Sequence, residues 1–261
     1  MLLLILTEQD PAKAAEGLIH LWYSAFIPQS LAVMMQEAIR PLIQTVCAKV
    51  EQKASNTMLG KTWEFGSRSL RLVLTRDQWF SLLSYFESPA GLTLERAKRN
   101  RLDVTLAPHR VDYRDRRFFA QSSGWRAGSR RFREDGILLP FGASRARFSH
   151  LNPYITPLTL AWRFTDMWCR TIFRNLDSWP LQDCADPTDG WSIIEVQKVS
   201  TGAATNDMYG KLYLYLKGLF IQFHGRLSTL DVSFQLHNVG AENLKETLGP
   251  KSFDRIEVRL R

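Results

Sequence analysis

The sequence has few cysteines, and they lie far apart. Only Cys47, Cys169 and Cys184 occur among 261 residues, and no two of them form a CxxC pair. A disulfide framework uses an even set of cysteines, and a structural zinc site uses closely spaced ligands. The composition therefore argues against both and favours buried, unreactive thiols. We expect a reducing compartment, which is intracellular and either cytoplasmic or nuclear.

Long apolar runs are also missing. The opening MLLLIL is six residues long, with no basic residue before it and TEQDP after it. A signal peptide needs a charged lead and about 7–15 apolar residues, and a membrane helix needs about 20. We therefore expect a soluble protein that does not bind membranes. MLLLIL is instead typical of the end of a core helix or strand that begins upstream.

The motifs of common catalytic sites are missing as well. The five histidines form no HxH or HxxxH pair, and the chain has no GxSxG, P-loop or GxGxxG sequence. Asp183, Asp186 and Asp189 lie in a turn rich in Pro and Gly, where carboxylates usually accept hydrogen bonds from backbone N–H groups. The sequence therefore disfavours metal binding, nucleophilic hydrolysis and nucleoside triphosphate cleavage.

Positive charge is concentrated in one segment. Residues 94–133 contain twelve Lys or Arg residues and four acidic ones, which accounts for the whole net charge of +8. Phe118, Phe119 and Trp125 offer stacking faces beside this charge, as a nucleic-acid surface requires. The mixed signs of DYRDRR at 112–117 favour internal Arg–carboxylate pairs instead. The candidate binding residues are Arg110, Arg114, Arg116, Arg117, Arg130 and Arg131.

The hydrophobic content of 45% indicates a folded chain, and helical periodicity dominates its first part. Asp10 as N-cap and Pro11 as first residue begin a helix with Leu18, Leu21, Trp22 and Phe26 on one apolar side. A second helix is predicted from about 30 to 52, with a kink at Pro41.

Strands and further helices follow. Alternating apolar residues over 62–74 predict a hairpin around Gly66, and Thr75 with Gln78 predicts a capping box for the next helix. Helices are also predicted over 93–106 and 158–176. The segment 107–205 otherwise shows weak patterns and contains twelve of the 26 Gly and Pro residues.

The carboxyl-terminal part is predicted to be a helix, strand, short helix and strand. Asn206 or Asp207 caps a helix from Met208 to Leu227, a strand is centred on Phe234, helical turns cover 241–247 and a strand covers 253–258. Ligands of doubly wound sheets bind beyond the carboxyl ends of strands, which here corresponds to residues 237–243.

Six segments together resemble one family, namely 10–31, 61–87, 107–121, 133–144, 186–196 and 232–261. They are similar to a domain of unknown function found in fungal proteins, often beside a MYND-type zinc finger. That domain is distantly similar to the amino-terminal region of dynein axonemal assembly factor 3. The resemblance spans nearly the whole chain and includes REDGILLPFGAS and DPTDGWSIIEV.

The resemblance implies an α/β fold, namely an incomplete Rossmann-like, class I methyltransferase-like sheet with a large, mainly helical insertion. One domain over 1–261 is expected, with a helical, insertion-rich part at 1–205 and the helix-strand-helix-strand part at 206–261. The family's LGCGD-like cofactor turn and the MYND cysteines have no counterpart here. The chain is therefore expected to be truncated at both ends. The second cofactor element aligns with Gly240 and Ala241, with Glu242 as the nearby acid.

Three functions follow from these observations. The first is a non-catalytic, methyltransferase-like module of protein interaction or assembly that binds protein partners and no cofactor. The second is a fragment of an S-adenosylmethionine-dependent methyltransferase, which binds the cofactor only with a missing upstream segment restored. The third is a nucleic-acid-binding module that uses the Arg-rich segment 94–133.

Overall fold

The computed structural model describes residues 10–87, 91–105, 108, 115–116, 118–152 and 186–238. These residues form a mixed α/β structure of helices, a three-stranded sheet and a two-stranded ladder. The helices are α1 Pro11–Tyr23, α2 Gln29–Met34, α3 Arg40–Val50, α4 Arg76–Ser84, α5 Leu94–Thr105, α6 Ser123–Asp135, α7 Ile193–Gln197 and α8 Met208–Thr229. The strands are β1 Phe26–Ile27, β2 Met58–Phe65, β3 Arg68–Thr75, β4 His150–Leu151 and β5 Ser233–His237.

Helix α1 begins where its sequence predicts. The Asp10 side chain accepts a hydrogen bond from the N–H of Ala12, and Pro11 occupies the first turn, where its missing N–H costs nothing. Two of the predicted apolar-face residues differ from expectation. Trp22 is 41% exposed, and Phe26 lies beyond the helix in β1, where it is buried.

The helix predicted over 30–52 is divided by a π-helical segment, Met35–Ile39. The N–H of Arg40 donates to the carbonyl oxygen of Met35, five residues earlier. Proline lacks an N–H, and its ring collides with the carbonyl four residues before it in a regular α-helix. The wider π turn ends at Ile39, two residues before Pro41, and places an irregularity of the helix near the predicted kink.

The main sheet has the strand order β2-β3-β5. The hairpin β2–β3 is antiparallel, pairs Trp63 with Leu70, and turns at Gly66, which has a φ of 66°. Strand β5 pairs in parallel with β3, with Phe234 opposite Leu70. The sheet therefore joins strands from both predicted parts of the chain, because β5 follows α8 and the hairpin precedes it.

Two apolar cores support these elements. One lies between α1, α6 and α8 and includes Ile19, Phe132, Leu138, Leu212 and Leu216. The other lies between α3, α4 and the hairpin and includes Met35, Val46, Trp63, Leu70 and Trp79. Helices α3 and α4 therefore cover one face of the sheet, and α1 contributes to both cores.

The predicted caps of α4 and α8 are confirmed. Thr75 and Gln78 form the capping box of α4, and Asp207, one of the two candidate residues, caps α8 by accepting from the N–H of Gly210. Helix α6 was not predicted, because its exposed face is basic and its buried face includes Gly128 and Ser129. The predicted helix 158–176, turns 241–247 and strand 253–258 lie outside the described residues.

Candidate functional site

The site residues expected from the sequence divide into two groups. Gly240, Ala241 and Glu242, the candidate cofactor residues, lie outside the described residues, as do Arg110, Arg114 and Arg117. Arg116, Arg130 and Arg131 are described, and all three are exposed. Of the two expected sites, only the basic surface therefore includes residues that the structure describes.

Arg130 and Arg131 form ion pairs within α6. Arg130 Nε lies 3.0 Å from Glu134 Oε1, and Arg131 Nε lies 3.2 Å from Asp135 Oδ2. Both pairs join residues one helical turn apart, which is the internal pairing that mixed charge favours. Exposed pairs of this kind contribute only about 0.3–0.5 kcal/mol, so a partner's anion can compete for the same arginines.

Two further arginines extend this charge. The side chains of Arg99 on α5 and Arg126 on α6 are exposed, and within the described ranges neither forms an ion pair with a carboxylate. Arg126 lies one turn before Arg130, and α5 packs directly against α6. We call the outward side chains Arg99, Arg126, Arg130 and Arg131 the α5–α6 basic surface.

The charge imbalance is local to this region of the fold. The described residues from 91 to 152 include eleven basic and five acidic side chains, and the remaining described residues include twelve of each. Exposed apolar side chains accompany the charge: Leu102, one turn after Arg99 on α5, is 40% exposed, and Phe119, shortly before α6, is 87% exposed. Of the expected stacking residues, Phe118 packs under Arg133, and Trp125 packs partly against the core.

Arg101 attaches α5 to α6. Its side chain is 1% exposed, Nη2 donates to the carbonyl oxygen of Phe132, and the guanidinium lies 5.4 Å from the centroid of the Phe132 ring. Burial lowers the pKa of Arg101 to about 9, while the nearby Asp135 carboxylate opposes that shift and Arg133 adds to it. A basic residue that the sequence pattern assigns to a surface is therefore an interior contact.

Asp135 ends α6 and joins it to the following segment. Its Oδ1 accepts from the N–H of Ile137 at 2.9 Å, and its Oδ2 lies 2.7 Å from Arg145 Nε. Burial raises the pKa of Asp135, and the Ile137 N–H together with Arg145, Arg131 and Arg101 act against this rise. These contacts make Asp135 a structural counter-charge for the arginines around it.

A second polar cluster surrounds His20 on α1. The His20 side chain is completely buried, and the Phe148 ring meets it edge-on at 4.4 Å between centroids. His20 Nε2 lies 3.7 Å from Glu16 Oε1, and Glu16 also forms an ion pair with Arg147. Burial lowers the pKa of His20 to about 3, and the charge of Lys217 adds to this shift. Sequence patterns gave no sign of this cluster, because Arg147 and Phe148 belong to an irregular segment.

The aspartates expected to serve turns and caps do so where they are described. Asp186 Oδ1 accepts from the N–H of Thr188 at 2.9 Å, and Asp186 Oδ2 accepts from the Tyr209 hydroxyl at 2.7 Å. Asp207 Oδ2 accepts from the N–H of Phe141 at 2.8 Å, in addition to its role at α8. Both carboxylates therefore connect α8 to the chain around it.

The described residues include neither a cluster of metal ligands nor a membrane-spanning helix. Within those residues, no three His, Cys, Asp or Glu side chains are grouped so that they could hold a metal ion. None of the helices described has the length and apolar character needed to cross a membrane. The chain matches no protein-family model, no curated protein and no solved structure.

Proposed function

We propose that this chain is a non-catalytic module of protein interaction or assembly and that the α5–α6 basic surface binds its protein partners. The observation that carries the proposal is the outward charge of two packed helices, with Arg99 and Arg126 free of carboxylate partners among the described residues. Arginine is enriched at protein interfaces, where its guanidinium donates two parallel hydrogen bonds to one carboxylate. Complementary charge also accelerates association with an acidic partner.

The adjoining apolar side chains support a protein partner. Leu102 is exposed one turn from Arg99 on the same helix face. An apolar residue beside arginines offers area for burial next to groups that pair with carboxylates. A partner that offers acidic residues around an apolar side chain fits this arrangement.

The contacts of three titratable groups with shifted pKa values support a non-catalytic role. His20 is enclosed by Phe148, Arg101 donates to the Phe132 carbonyl, and Asp135 pairs with Arg145. A general acid or base must reach a substrate atom within hydrogen-bond distance. These three groups are instead used by internal packing.

Crosslinking mass spectrometry in cells tests the proposal. The test variant carries R99E, R126E, R130E and R131E, and the matched control carries K13E, K49E, K53E and K61E, four exposed lysines outside the surface. We expect crosslinks from α5 and α6 to acidic segments of specific proteins, lost in the test variant and kept in the control. Equal crosslinking by both variants, with both melting as the wild type does, would contradict the proposed surface.

The methyltransferase hypothesis is the second candidate function. The parallel pairing of β5 with β3 through a helix-containing connection is consistent with a Rossmann-like sheet, and the family resemblance suggests one. The hypothesis predicts that S-adenosylmethionine binds when the upstream cofactor turn is present. Titration calorimetry of the chain extended upstream measures this binding directly. If S-adenosylmethionine does not bind, the hypothesis is wrong.

The basic surface also permits a test of nucleic-acid binding. Fluorescence anisotropy with a single-stranded RNA oligonucleotide, repeated at several salt concentrations, distinguishes the two kinds of partner. Binding through phosphates weakens steeply with salt and is lost in the R99E/R126E/R130E/R131E variant. Salt-dependent binding that is lost in this variant would favour the nucleic-acid hypothesis over an acidic protein partner.

A further inference from the structure

The segment from Gly136 to Asn152, which we call the 136–152 strap, is attached to the end of α1 at both of its own ends. The N–H of Ala25 donates to the carbonyl oxygen of Gly136 at 2.6 Å, and the N–H of Asn152 donates to the carbonyl oxygen of Ala25 at 3.0 Å. The N–H of Leu138 donates to Ser24 Oγ at 3.2 Å. The ends of the strap are therefore fixed by buried hydrogen bonds.

The middle of the strap is held differently. Between Pro140 and Ser149 its backbone forms turns and no helix or strand, and Phe141, Gly142, Ser144, Ala146 and Arg147 are exposed. Two side-chain contacts attach this part to α1: the ion pair of Arg147 with Glu16 and the packing of Phe148 on His20. Elsewhere in it, the Phe141 N–H donates to Asp207 and Arg145 pairs with Asp135. Irregular, exposed segments with few buried contacts open at the lowest free-energy cost. The part of the strap around Arg147 and Phe148 is therefore the part that a change at His20 would release.

While the strap is closed, the surroundings of His20 disfavour the protonated form of its imidazole ring. Neither ring nitrogen has a hydrogen-bond partner among the described residues, and the imidazole is completely buried. An imidazolium needs hydrogen-bond acceptors or water for both N–H groups. The closed strap supplies an aromatic ring instead, so that only the neutral imidazole fits.

The charged groups around His20 act in the same direction. Glu16 on α1 is the nearest carboxylate, but its charge is shared with Arg147 of the strap. Lys217 on α8 adds a second cation, whose Nζ lies 5.7 Å from the centroid of the Tyr213 ring. The carboxylate nearest the imidazole is therefore already paired with a cation, and the charge of Lys217 further disfavours the imidazolium.

We propose that the 136–152 strap is an acid-released latch, in which protonation of His20 detaches Arg147 and Phe148 from α1 while the ends of the strap stay attached. Release exposes Glu16, His20 and Phe148 to solvent. Release also weakens the ion pair between Arg145 of the strap and Asp135 at the end of α6. Acid therefore changes the chain at a position directly connected to α6.

The sign and size of the effect follow from proton linkage. The closed state holds the pKa of His20 at about 3, whereas in the open state the imidazole returns toward its ordinary value of 6.5. The open state therefore binds the proton more tightly, and opening becomes more favourable as the pH falls below 6.5. The opening constant should rise about tenfold per pH unit, to about a hundredfold between neutral pH and pH 4.5.

Hydrogen exchange measured by mass spectrometry from pH 7.5 to pH 4.5, corrected for the intrinsic rate, tests the latch. We expect faster corrected exchange in peptides of 140–149 as the pH falls, with peptides of α8 unchanged. His20→Gln removes the titrating group and should abolish the pH response. His150→Gln, which removes the histidine that lies within the strap itself, should retain it.

Two further measurements test the latch if His20→Gln destabilises the folded protein. Arg147→Gln leaves Glu16 to pair with the imidazolium, so the strap should exchange faster at neutral pH and respond less to acid. The C–H proton shifts of His20 in the wild-type protein report its protonation by NMR. Unchanged strap exchange down to pH 4.5, simultaneous exchange of the strap and α8, or an equal response in His20→Gln would each overturn the proposal.

Discussion

Arg101 of α5 donates a hydrogen bond to the backbone carbonyl oxygen of Phe132 in α6, and its guanidinium lies 5.4 Å from the centroid of the same residue's ring. One side chain thus satisfies a carbonyl near the end of one helix and packs on an aromatic ring beside it. Arginine suits both tasks because its guanidinium is planar, a strong donor and weakly hydrated. The position of α5, and with it the place of Arg99 in the α5–α6 basic surface, depends on this contact.

We expect Arg101→Met to lower the free energy of unfolding by about 3 kcal/mol, because it removes a buried donor and leaves the Asp135 carboxylate with less counter-charge. Arg99→Met, at an exposed position of the same helix, should change it by less than about 0.5 kcal/mol. Urea unfolding followed by fluorescence measures both values. Similar losses for the two variants would show that Arg101 does not attach α5 to α6.

Gly136 ends α6 with a φ of 72° and has no space for a side chain. A Cβ there would overlap Ala25 Cβ and lie 2.7 Å from Arg101 Cζ. We expect Gly136→Ala to cost about 3 kcal/mol or more, because backbone strain and overlap add. The control is Gly66→Ala, where φ is 66° and no heavy atom lies within 4 Å of the added Cβ. That variant should cost only about 1–2 kcal/mol in thermal or urea unfolding.

Asn152 satisfies the carbonyl end of α1. Its Nδ2 lies 3.1 Å from each of the carbonyl oxygens of His20, Leu21 and Ser24. Asn152→Asp replaces the donor with a carboxylate that faces three acceptors, and we expect a loss of about 3 kcal/mol or more at pH 7. The loss should shrink near pH 4, where the carboxyl gains a proton that it can donate. A loss independent of pH in urea unfolding would contradict the assigned donor role.

Cys47 should be chemically inert in the folded chain. Its side chain is buried in the core of α3, α4 and the hairpin, burial raises its pKa, and Sγ lies 3.5 Å from the carbonyl oxygen of Trp79. The thiolate is the nucleophile, so alkylation by iodoacetamide at pH 8 should be at least about tenfold slower than for a free cysteine. Peptide mapping measures the rate at Cys47, and urea should restore it. Rapid labelling without urea would show that this core opens readily.

Local features were predictable because a few neighbouring residues decide them. Asp10 with Pro11, Thr75 with Gln78, and Asp207 each satisfy N–H groups within three residues of themselves, so their caps follow from sequence alone. Gly66 likewise identified the hairpin turn through its tolerance of positive φ. Apolar periodicity predicted individual helices and strands, whereas the α/β fold was implied by the family resemblance.

The missed features depend on partners distant in sequence. Helix α6 gave a weak apolar pattern because Arg133, one of its buried residues, is an arginine stacked on Phe118. Trp22 was assigned to an apolar face, yet no neighbouring element covers it fully. The candidate site shows the same limit, since the sequence placed the basic segment but could not separate outward arginines from Arg101.

The sequence by itself determined where helices and turns begin, where the positive charge lies along the chain, and which residues form the apolar periodicity. Only the tertiary structure decided that β5 pairs with β3, that Arg101 is interior while Arg99 is exposed, and that His20 is enclosed by Phe148. The physical reason is distance along the chain. Caps and turns are made by neighbours, whereas burial of a charged or titratable group depends on segments more than thirty residues away, as with Arg101 and Phe132.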